Sequence, residues 1–403
     1  MKIGIERISF HIPHQYLDLT SLAEHHGTDS DKFSRGIGQD KMSFPCHDED
    51  IVTLAAEAAL PIIKAHGPDG IDSLLFATET GIDQSKSAGI YVHRLLGLKP
   101  QCRNVELKQA CYSATAALQM ACGYVARKPD RKILVIASDV SRYDLGGAAE
   151  ATQGSGAVAM LISANPAIVE IDLASGCHSE DIMDFWRPNY RKTPLVDGKY
   201  SALKYLQSLG HAWADYQVNE GRAFEDFAQF CYHLPFSRMG EKAHRHLASL
   251  NGAKVDADKI NPGLAYSRQI GNCYSAALYL SLISALESTD QDLADKPIAL
   301  FSYGSGAVAE FFSGVIQPGY RAQLFTDRHQ GLMANRAALS YDQYVDLWHA
   351  PDPQNGEQVV IDVQTTGTFR LAKIETHKRH YDCLLYTSPS PRDRTRSRMP
   401  SSA

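Results

Sequence analysis

The chain has 403 residues, 44% of them hydrophobic and 21% charged, which suits a globular protein with one large core or two fused domains. A formal net charge of −6 argues against nucleic acid as the main partner. No apolar run approaches the roughly eighteen residues of a membrane span, so no membrane association is expected.

The opening MKIGIERISFHIP alternates apolar and polar residues and lacks the long apolar stretch of a secretory signal, so it reads as a first strand at a sheet edge. SLLFATE (73–79) has a buried-strand pattern and ends on Glu79. NVELKQA is strand-like and runs into CYSA at Cys111, where a helix apolar on most faces begins and continues to about Ala126. RKILVIASDV (131–140) predicts another strand, and GSGAVAM (154–160) a tight loop leading into one more. Residues 167–225 are rich in aromatics and suit a cap over a pocket. AQFCYH (228–233) is again strand-like and ends on His233. CYSA then returns at Cys273, opening a second apolar helix, followed by the strand KPIALFSYGSG (296–306) and GSGAVAE (304–310). Beyond 318 a helical stretch is expected around 340–349, with the strand-like FRLAKIE after it.

The halves therefore repeat in order, and a repeat of this length means two copies of one α/β unit. The first copy spans 1–166 and the second 167–382, with the cap inserted in the second. Alternating strands and helices predict mixed, largely parallel sheets covered by helices. The two apolar helices are expected to pack together beneath a shared site. From about 383 the chain turns to LLYTSPSPRDRTRSRMPSSA, rich in Ser, Pro and Arg and poor in core formers. It reads as disordered, cloning-derived sequence outside the fold. The eight cysteines include no CxxC pair and no His/Cys cluster with zinc spacing, so reduced thiols in a cytoplasmic protein without a metal site are expected.

Four side chains with chemistry fall at strand ends or helix starts: Glu79, Cys111, His233 and Asn272. Pseudo-twofold symmetry would bring such points to one face. A thiolate is the nucleophilic form of cysteine, and a helix start stabilises it. Each residue also has a plainer reading. Cys111 alone suits a small buried hydrophobe, Glu79 a solvated loop acid, His233 a satisfied core histidine and Asn272 a helix N-cap. The Gly-Ser-Gly turns suit simple tight turns, or close approach of a peptide N–H to a reacting carbonyl.

With these motifs in place, the chain resembles the hydroxymethylglutaryl-CoA synthases of the bacterial mevalonate-pathway type, within the thiolase superfamily. The family-like stretches include ATETGID (77–83), ELKQACYSATAALQ (106–119), TQGSGAVAM (152–160), DFWRPNYRKTPLVDG (184–198), FCYHLPFSRMGEKA (230–243) and SYGSGAVAEFF (302–312). The resemblance implies an α/β, thiolase-like duplicated fold of two βαβαβαββ halves in five αβαβα layers. It implies that Cys111 takes the acetyl group of acetyl-CoA, that Glu79 removes a methyl proton, and that His233 places acetoacetyl-CoA. Asp29, Thr152, Ser201, Lys242, Asn272 and Ser305 match family positions that line the substrate or CoA site. It further implies a homodimer, with coenzyme A thioesters as substrates and no cofactor.

Rival readings remain. A β-ketoacyl carrier-protein synthase uses Cys, His and Asn but needs no acid at Glu79. A polyketide-pathway relative would keep the chemistry and take carrier-protein substrates. A non-catalytic acyl-CoA binder would bind without turnover. A papain-like hydrolase has no use for duplicated halves.

Overall fold

The computed structural model describes residues 1–350, 353 and 355–384, so the expected disordered tail lies outside the described residues apart from its first two positions. Nine strands form the main sheet: β1 (Gly4–His11), β2 (Ser73–Ala77), β3 (Arg103–Leu107), β4 (Ile133–Val140), β5 (Ser155–Ser163), β6 (Val169–Ser179), β7 (Gln229–Tyr232), β8 (Pro297–Gly304) and β9 (Val308–Ile316). Six helices matter for the site: α1 (Ile51–His66), α2 (Ser113–Arg127), α3 (Gly198–Val218), α4 (Ser237–Leu250), α5 (Asn261–Ile270) and α6 (Ala277–Ser288). The spatial order is β7-β8-β9-β6-β1-β5-β4-β2-β3. The duplication is visible in it: β1, β5, β4 and β2 of the first half correspond to β6, β9, β8 and β7 of the second, running outwards from the middle.

The halves meet where β1 pairs with β6, Gly4 opposite Glu170 and Ile5 opposite Val169. The first strand is therefore central and not at an edge. Its burial explains this: Ile5, Ile8 and Phe10 are all fully covered, because helices pack on both faces. Nor is the sheet largely parallel. β2 pairs parallel with β3 and β4, and β7 with β8, while the remaining pairings are antiparallel. The Gly-Ser-Gly turns account for part of this, since the turn after β8 sends β9 back beside it as a hairpin.

The layers follow from where the apolar faces go. α2 contributes Ala114, Ala117, Leu118 and Ala121 to one core cluster, and α6 contributes Leu280, Leu282, Ile283 and Leu286 to the same one. The two central helices touch through Thr115 and Tyr279, whose hydroxyls lie 2.9 Å apart. α1 packs outside the first half-sheet, opened by a capping box in which Asp50 accepts from Val52 and Thr53 N–H. α3 packs outside the second, with Tyr205, Leu209, Ala212 and Tyr216 in a third cluster shared with Phe301 and Phe311. This is the five-layered duplicated arrangement expected.

Residues 167–225 divide differently from the expectation of a single cap. Their first stretch is core strand β6 and their last is α3, the counterparts of β1 and α1. Only the segment between them, with the short pair Phe185–Trp186 and Leu195–Val196, projects over a cleft. The halves also differ in one element: β3 leads into the Cys111 turn, whereas α5 leads into the Cys273 turn. Among the described residues, no helix is long and apolar enough to cross a membrane.

Candidate active site

Glu79 lies two residues beyond β2, and its backbone is held by a carboxylate that sequence reasoning did not single out. Asp139, fully buried near the end of β4, accepts on one oxygen from Thr78 Oγ1 (2.7 Å), Glu79 N–H (2.9 Å), Thr80 N–H (3.0 Å) and Thr80 Oγ1 (2.6 Å). Its other oxygen accepts from the N–H (3.0 Å) and hydroxyl of Ser275, in the second half. Three backbone N–H groups among these donors favour the ionised form, while burial raises the carboxyl's hold on its proton. The only signal in the sequence was an acid inside the apolar run ILVIASDV.

Cys111 sits in the turn between β3 and α2. The turn is closed by Ser113, whose hydroxyl accepts from Gln109 N–H and donates to the Ala110 carbonyl, both at 2.7 Å. Ala110 takes a left-handed conformation with φ of 44°. The Cys111 sulfur comes to 3.7 Å from Glu79 Oε1. Burial, then the Asp139 charge, push the Glu79 carboxyl well above the ordinary range, against the pull of Arg187. Burial, then the charges of Glu79 and Asp139, push the Cys111 thiol up as well. The expectation that the helix start would favour the thiolate is therefore overturned. α2 begins only at Ser113, and burial, followed by the nearby Glu79 and Asp139, works against the thiolate.

His233 follows β7 directly. Its N–H donates to Phe301 O (2.8 Å) and its carbonyl accepts from Tyr205 OH (2.7 Å). Burial pushes the imidazole down to about 3, so it is neutral at physiological pH. Among the described residues no hydrogen bond joins it to Cys111 or Glu79. Tyr205 nevertheless lies within electrostatic reach of Cys111. Asn272, also buried, accepts at Oδ1 from Tyr274 N–H (2.9 Å), in an Asx-type turn just ahead of the short helical turn Tyr274–Ala276. Its own N–H donates to the Thr152 carbonyl (3.0 Å), so Thr152 joins the halves, with its hydroxyl turned to Ala149 O. Cys273 is fully buried beside this turn.

A cleft of 1160 Å³ opens against these elements. Its wall includes Glu79, Ala110, Tyr274, Ser305 and Gly306, together with the segment projecting above it; Cys111, His233 and Asn272 are not part of the wall. The Ser305 turn is fixed from both sides. Gln109 Nε2 donates to the Ser305 carbonyl (3.3 Å), and buried Asp184 accepts from Gly306 N–H (2.9 Å), Tyr303 OH (2.8 Å) and Ser201 Oγ (3.1 Å). Ser201 thus bonds to Asp184 and does not reach the cleft. Asp29 is exposed and caps its own loop, accepting from Asp31 N–H (2.9 Å). Lys242 is exposed on α4, with Nζ 5.4 Å above the Phe236 ring. The cleft's own cations are Lys108, Arg142, Arg187, Arg191, Lys192 and Arg379. Arg187, Arg191 and Lys192 share the segment above the cleft, while Lys108, Arg142 and Arg379 come from distant parts of the chain. Arg187 reaches furthest in, donating to the Glu79 carbonyl.

The chain is similar to known proteins over most of its length. Residues 1–167 match the family model for the hydroxymethylglutaryl-coenzyme A synthase N terminal, and residues 168–252 and 245–383 match that for the C terminal. The chain is 43% identical over 349 residues to the hydroxymethylglutaryl-CoA synthase of Enterococcus faecalis, covering 85% of this chain and 91% of that one. It is 36% identical to the polyketide biosynthesis 3-hydroxy-3-methylglutaryl-ACP synthase PksG of Bacillus subtilis, covering 85% and 86%. A crystal structure of an HMG-CoA synthase complexed with CoA superposes with a TM-score of 0.91 at 40% identity, covering 95% of this chain and 100% of that one.

Proposed function

The chain belongs to the hydroxymethylglutaryl-CoA synthase family, and from that premise we propose how its own residues perform the reaction. The enzyme condenses acetyl-CoA with acetoacetyl-CoA to give 3-hydroxy-3-methylglutaryl-CoA and free CoA, in the mevalonate route to isoprenoids. The observation that carries the residue assignment is the contact of 3.7 Å between the Cys111 sulfur and Glu79 Oε1, with Glu79 at the cleft wall.

Cys111 attacks the acetyl carbonyl, its thiol proton leaves with CoA, and an acetyl thioester forms on the enzyme. The thioester acidifies the methyl protons. Glu79, whose buried carboxyl has its affinity for protons raised, takes one of them. The resulting carbanion attacks the ketone of acetoacetyl-CoA. Glu79 returns its proton to the new alkoxide, and water cleaves the remaining thioester to free Cys111. Backbone N–H groups of Cys111 and Ser305 are the candidate donors to the developing enolate oxygen. Neutral His233 places the second substrate by hydrogen bonding and not by charge. Asn272 and Thr152 shape the same region from the junction of the halves, and Asp29, Ser201 and Lys242 act from further out. The cleft cations suit the phosphates of coenzyme A.

This chemistry calls for no cofactor, since the coenzyme A thioesters are the substrates. A cytoplasmic homodimer is the expected assembly, and light scattering would test it.

The deciding experiment follows acetyl-CoA-dependent loss of acetoacetyl-CoA. Ping-pong kinetics and turnover lost in Cys111→Ala are expected. Turnover with carrier-protein-bound acetoacetyl but none with the free thioester would replace this reading with that of a polyketide-type enzyme.

A further inference from the structure

Away from the Glu79–Cys111 pair, on another part of the same cleft, three donor groups converge from separate segments. Cys46 Sγ lies 3.6 Å from His14 Nδ1 and 3.3 Å from Glu49 Oε2, and His14 Nδ1 lies 3.9 Å from Glu49 Oε1. His14 follows β1, while Cys46 and Glu49 stand just ahead of α1. Cys46 and Glu49 are buried and His14 is half-buried. Cys46 and Glu49 also contribute to the cleft wall.

We propose that His14, Cys46 and Glu49 form a binding site for one zinc-class divalent cation, with the remaining coordination position facing the cleft. A tetrahedral ion at about 2.3 Å from sulfur and about 2.0–2.2 Å from nitrogen and oxygen sets its ligand atoms roughly 3.3–3.6 Å apart. The Cys46–His14 and Cys46–Glu49 spans already have that length, and small rotations of the His14 ring and the Glu49 carboxylate bring imidazole and one carboxylate oxygen to the same ion. The donor set is a thiolate, an imidazole and a carboxylate, which favours zinc over the oxygen-seeking magnesium and calcium. The outer shell is built as well. Thr365 Oγ1 donates to Glu49 Oε1 (2.8 Å) and the Cys46 N–H donates to Glu49 Oε2 (3.1 Å), fixing the carboxylate that faces the other two donors. Binding replaces the S–H bond of Cys46 by a sulfur–metal bond, and the proton passes to the buffer. The ion ties the segment after β1 to the start of α1 and, through Glu49 and Thr365, to the C-terminal segment. The ligands come from positions 14, 46 and 49, so no short-range spacing announced them.

The site is independent of the condensation chemistry and is tested without an activity assay. The full chain is stripped with a chelator under reducing conditions and titrated with Co²⁺, and a sulfur-to-cobalt charge-transfer band is followed. The expected result is a band that saturates at about one ion per chain, is displaced by Zn²⁺, and persists in Cys111→Ala. It disappears in Cys46→Ser and weakens at least tenfold in affinity in His14→Ala. Bound zinc raises the melting temperature of the wild type and not of Cys46→Ser. Circular dichroism establishes that each variant is folded, and if Cys46→Ser fails to fold, His14→Ala decides alone. No saturable band in the folded wild type, or a band unchanged in folded Cys46→Ser or His14→Ala, overturns the proposal and leaves the trio as a hydrogen-bonded cluster.

Discussion

The carboxyl of Glu79 and the thiol of Cys111 lie 3.7 Å apart and act on each other in opposite senses: Glu79 raises the thiol's hold on its proton, while the thiol's hydrogen bond lowers that of the carboxyl. Burial is the larger cause for both, and each additionally feels the anion of Asp139. One site thus stores a thiol that surrenders its proton only to a reacting partner, and a carboxyl basic enough to attack a carbon acid. The same burial that makes the pair reactive costs stability, because it disfavours the ionised carboxylate.

Replacing Glu79 by Gln separates the two half-reactions. Acetylation of Cys111 persists, while condensation falls by roughly 10²–10⁴-fold, the usual contribution of a general base. Intact-mass detection of acetyl-enzyme, beside steady-state turnover, makes the comparison. Loss of both steps together would assign Glu79 to thiol activation instead. The sign of the stability change is opposite to that of activity. A carboxyl whose folded pKa is raised binds its proton more tightly when folded, so the wild type loses stability as pH rises from the ordinary carboxylate value through the raised one. Glu79→Gln therefore melts higher than wild type near pH 8.

Asp139→Asn tests the carboxylate that organises the pair. In either orientation the amide nitrogen would face at least one backbone N–H, so a loss of about 1–3 kcal/mol is expected in urea unfolding. Removing the charge also lowers the Glu79 pKa, since Asp139 is the second cause of its elevation. The acid limb of the condensation rate then moves to lower pH. A variant with the wild-type acid limb would show that Asp139 acts on fold alone.

Much of this architecture was readable from the chain. The repeated CYSA and GSGAVA motifs disclosed the duplication, because each marks a turn that needs the same small residues in both halves. Glu79, Cys111 and His233 stood out as chemical groups at element ends. What escaped was long-range in origin. Asp139 lies within a strand, and its importance depends on Ser275 in the other half. Lys108, Arg142 and Arg379 reach the cleft from distant parts of the chain, which only the fold brings together. β1 looked like an edge strand because alternation reports burial of one face, while its neighbours on either side arrive at positions 155–163 and 169–179. The thiolate expectation for Cys111 failed because sequence shows a helix start and not the burial of the thiol or the Glu79 and Asp139 groups brought close in space.

His233 makes acid stability a measure of its burial. Its pKa falls from 6.5 to about 3 on folding. The unfolded state then binds a proton in that window and the folded state does not, so stability is present above pH 6.5 and lost as pH falls towards 3. One pKa unit corresponds to about 1.4 kcal/mol, which makes the full effect on the order of 5 kcal/mol. His11 contributes in the same direction, so the informative quantity is the difference between wild type and His233→Gln. The variant's unfolding free energy should fall less steeply between pH 6.5 and 4, by close to one proton. Identical slopes would mean that the imidazole is hydrated in solution.

The two Gly-Ser-Gly turns cross over, each pressing on the cysteine turn of the opposite half. A Cβ on Gly304 would lie 2.4 Å from Gln109 O and 2.7 Å from Tyr112 N, on both sides of Cys111. A Cβ on Gly154 would lie 2.5 Å from Gly271 C and 2.7 Å from Asn272 N. Both contacts are with backbone, which cannot rotate away, so Gly304→Ala and Gly154→Ala each should cost about 1–3 kcal/mol of stability. Their kinetic effects should differ. Gly304→Ala displaces the nucleophile's turn and slows acetylation of Cys111 by at least tenfold. Gly154→Ala displaces Asn272, so acetylation proceeds and condensation slows. Rapid-quench measurement of acetyl-enzyme formation in both variants distinguishes these cases. Equal slowing of acetylation by the two would show that the turns transmit strain through the whole junction and do not act locally on the residues they touch.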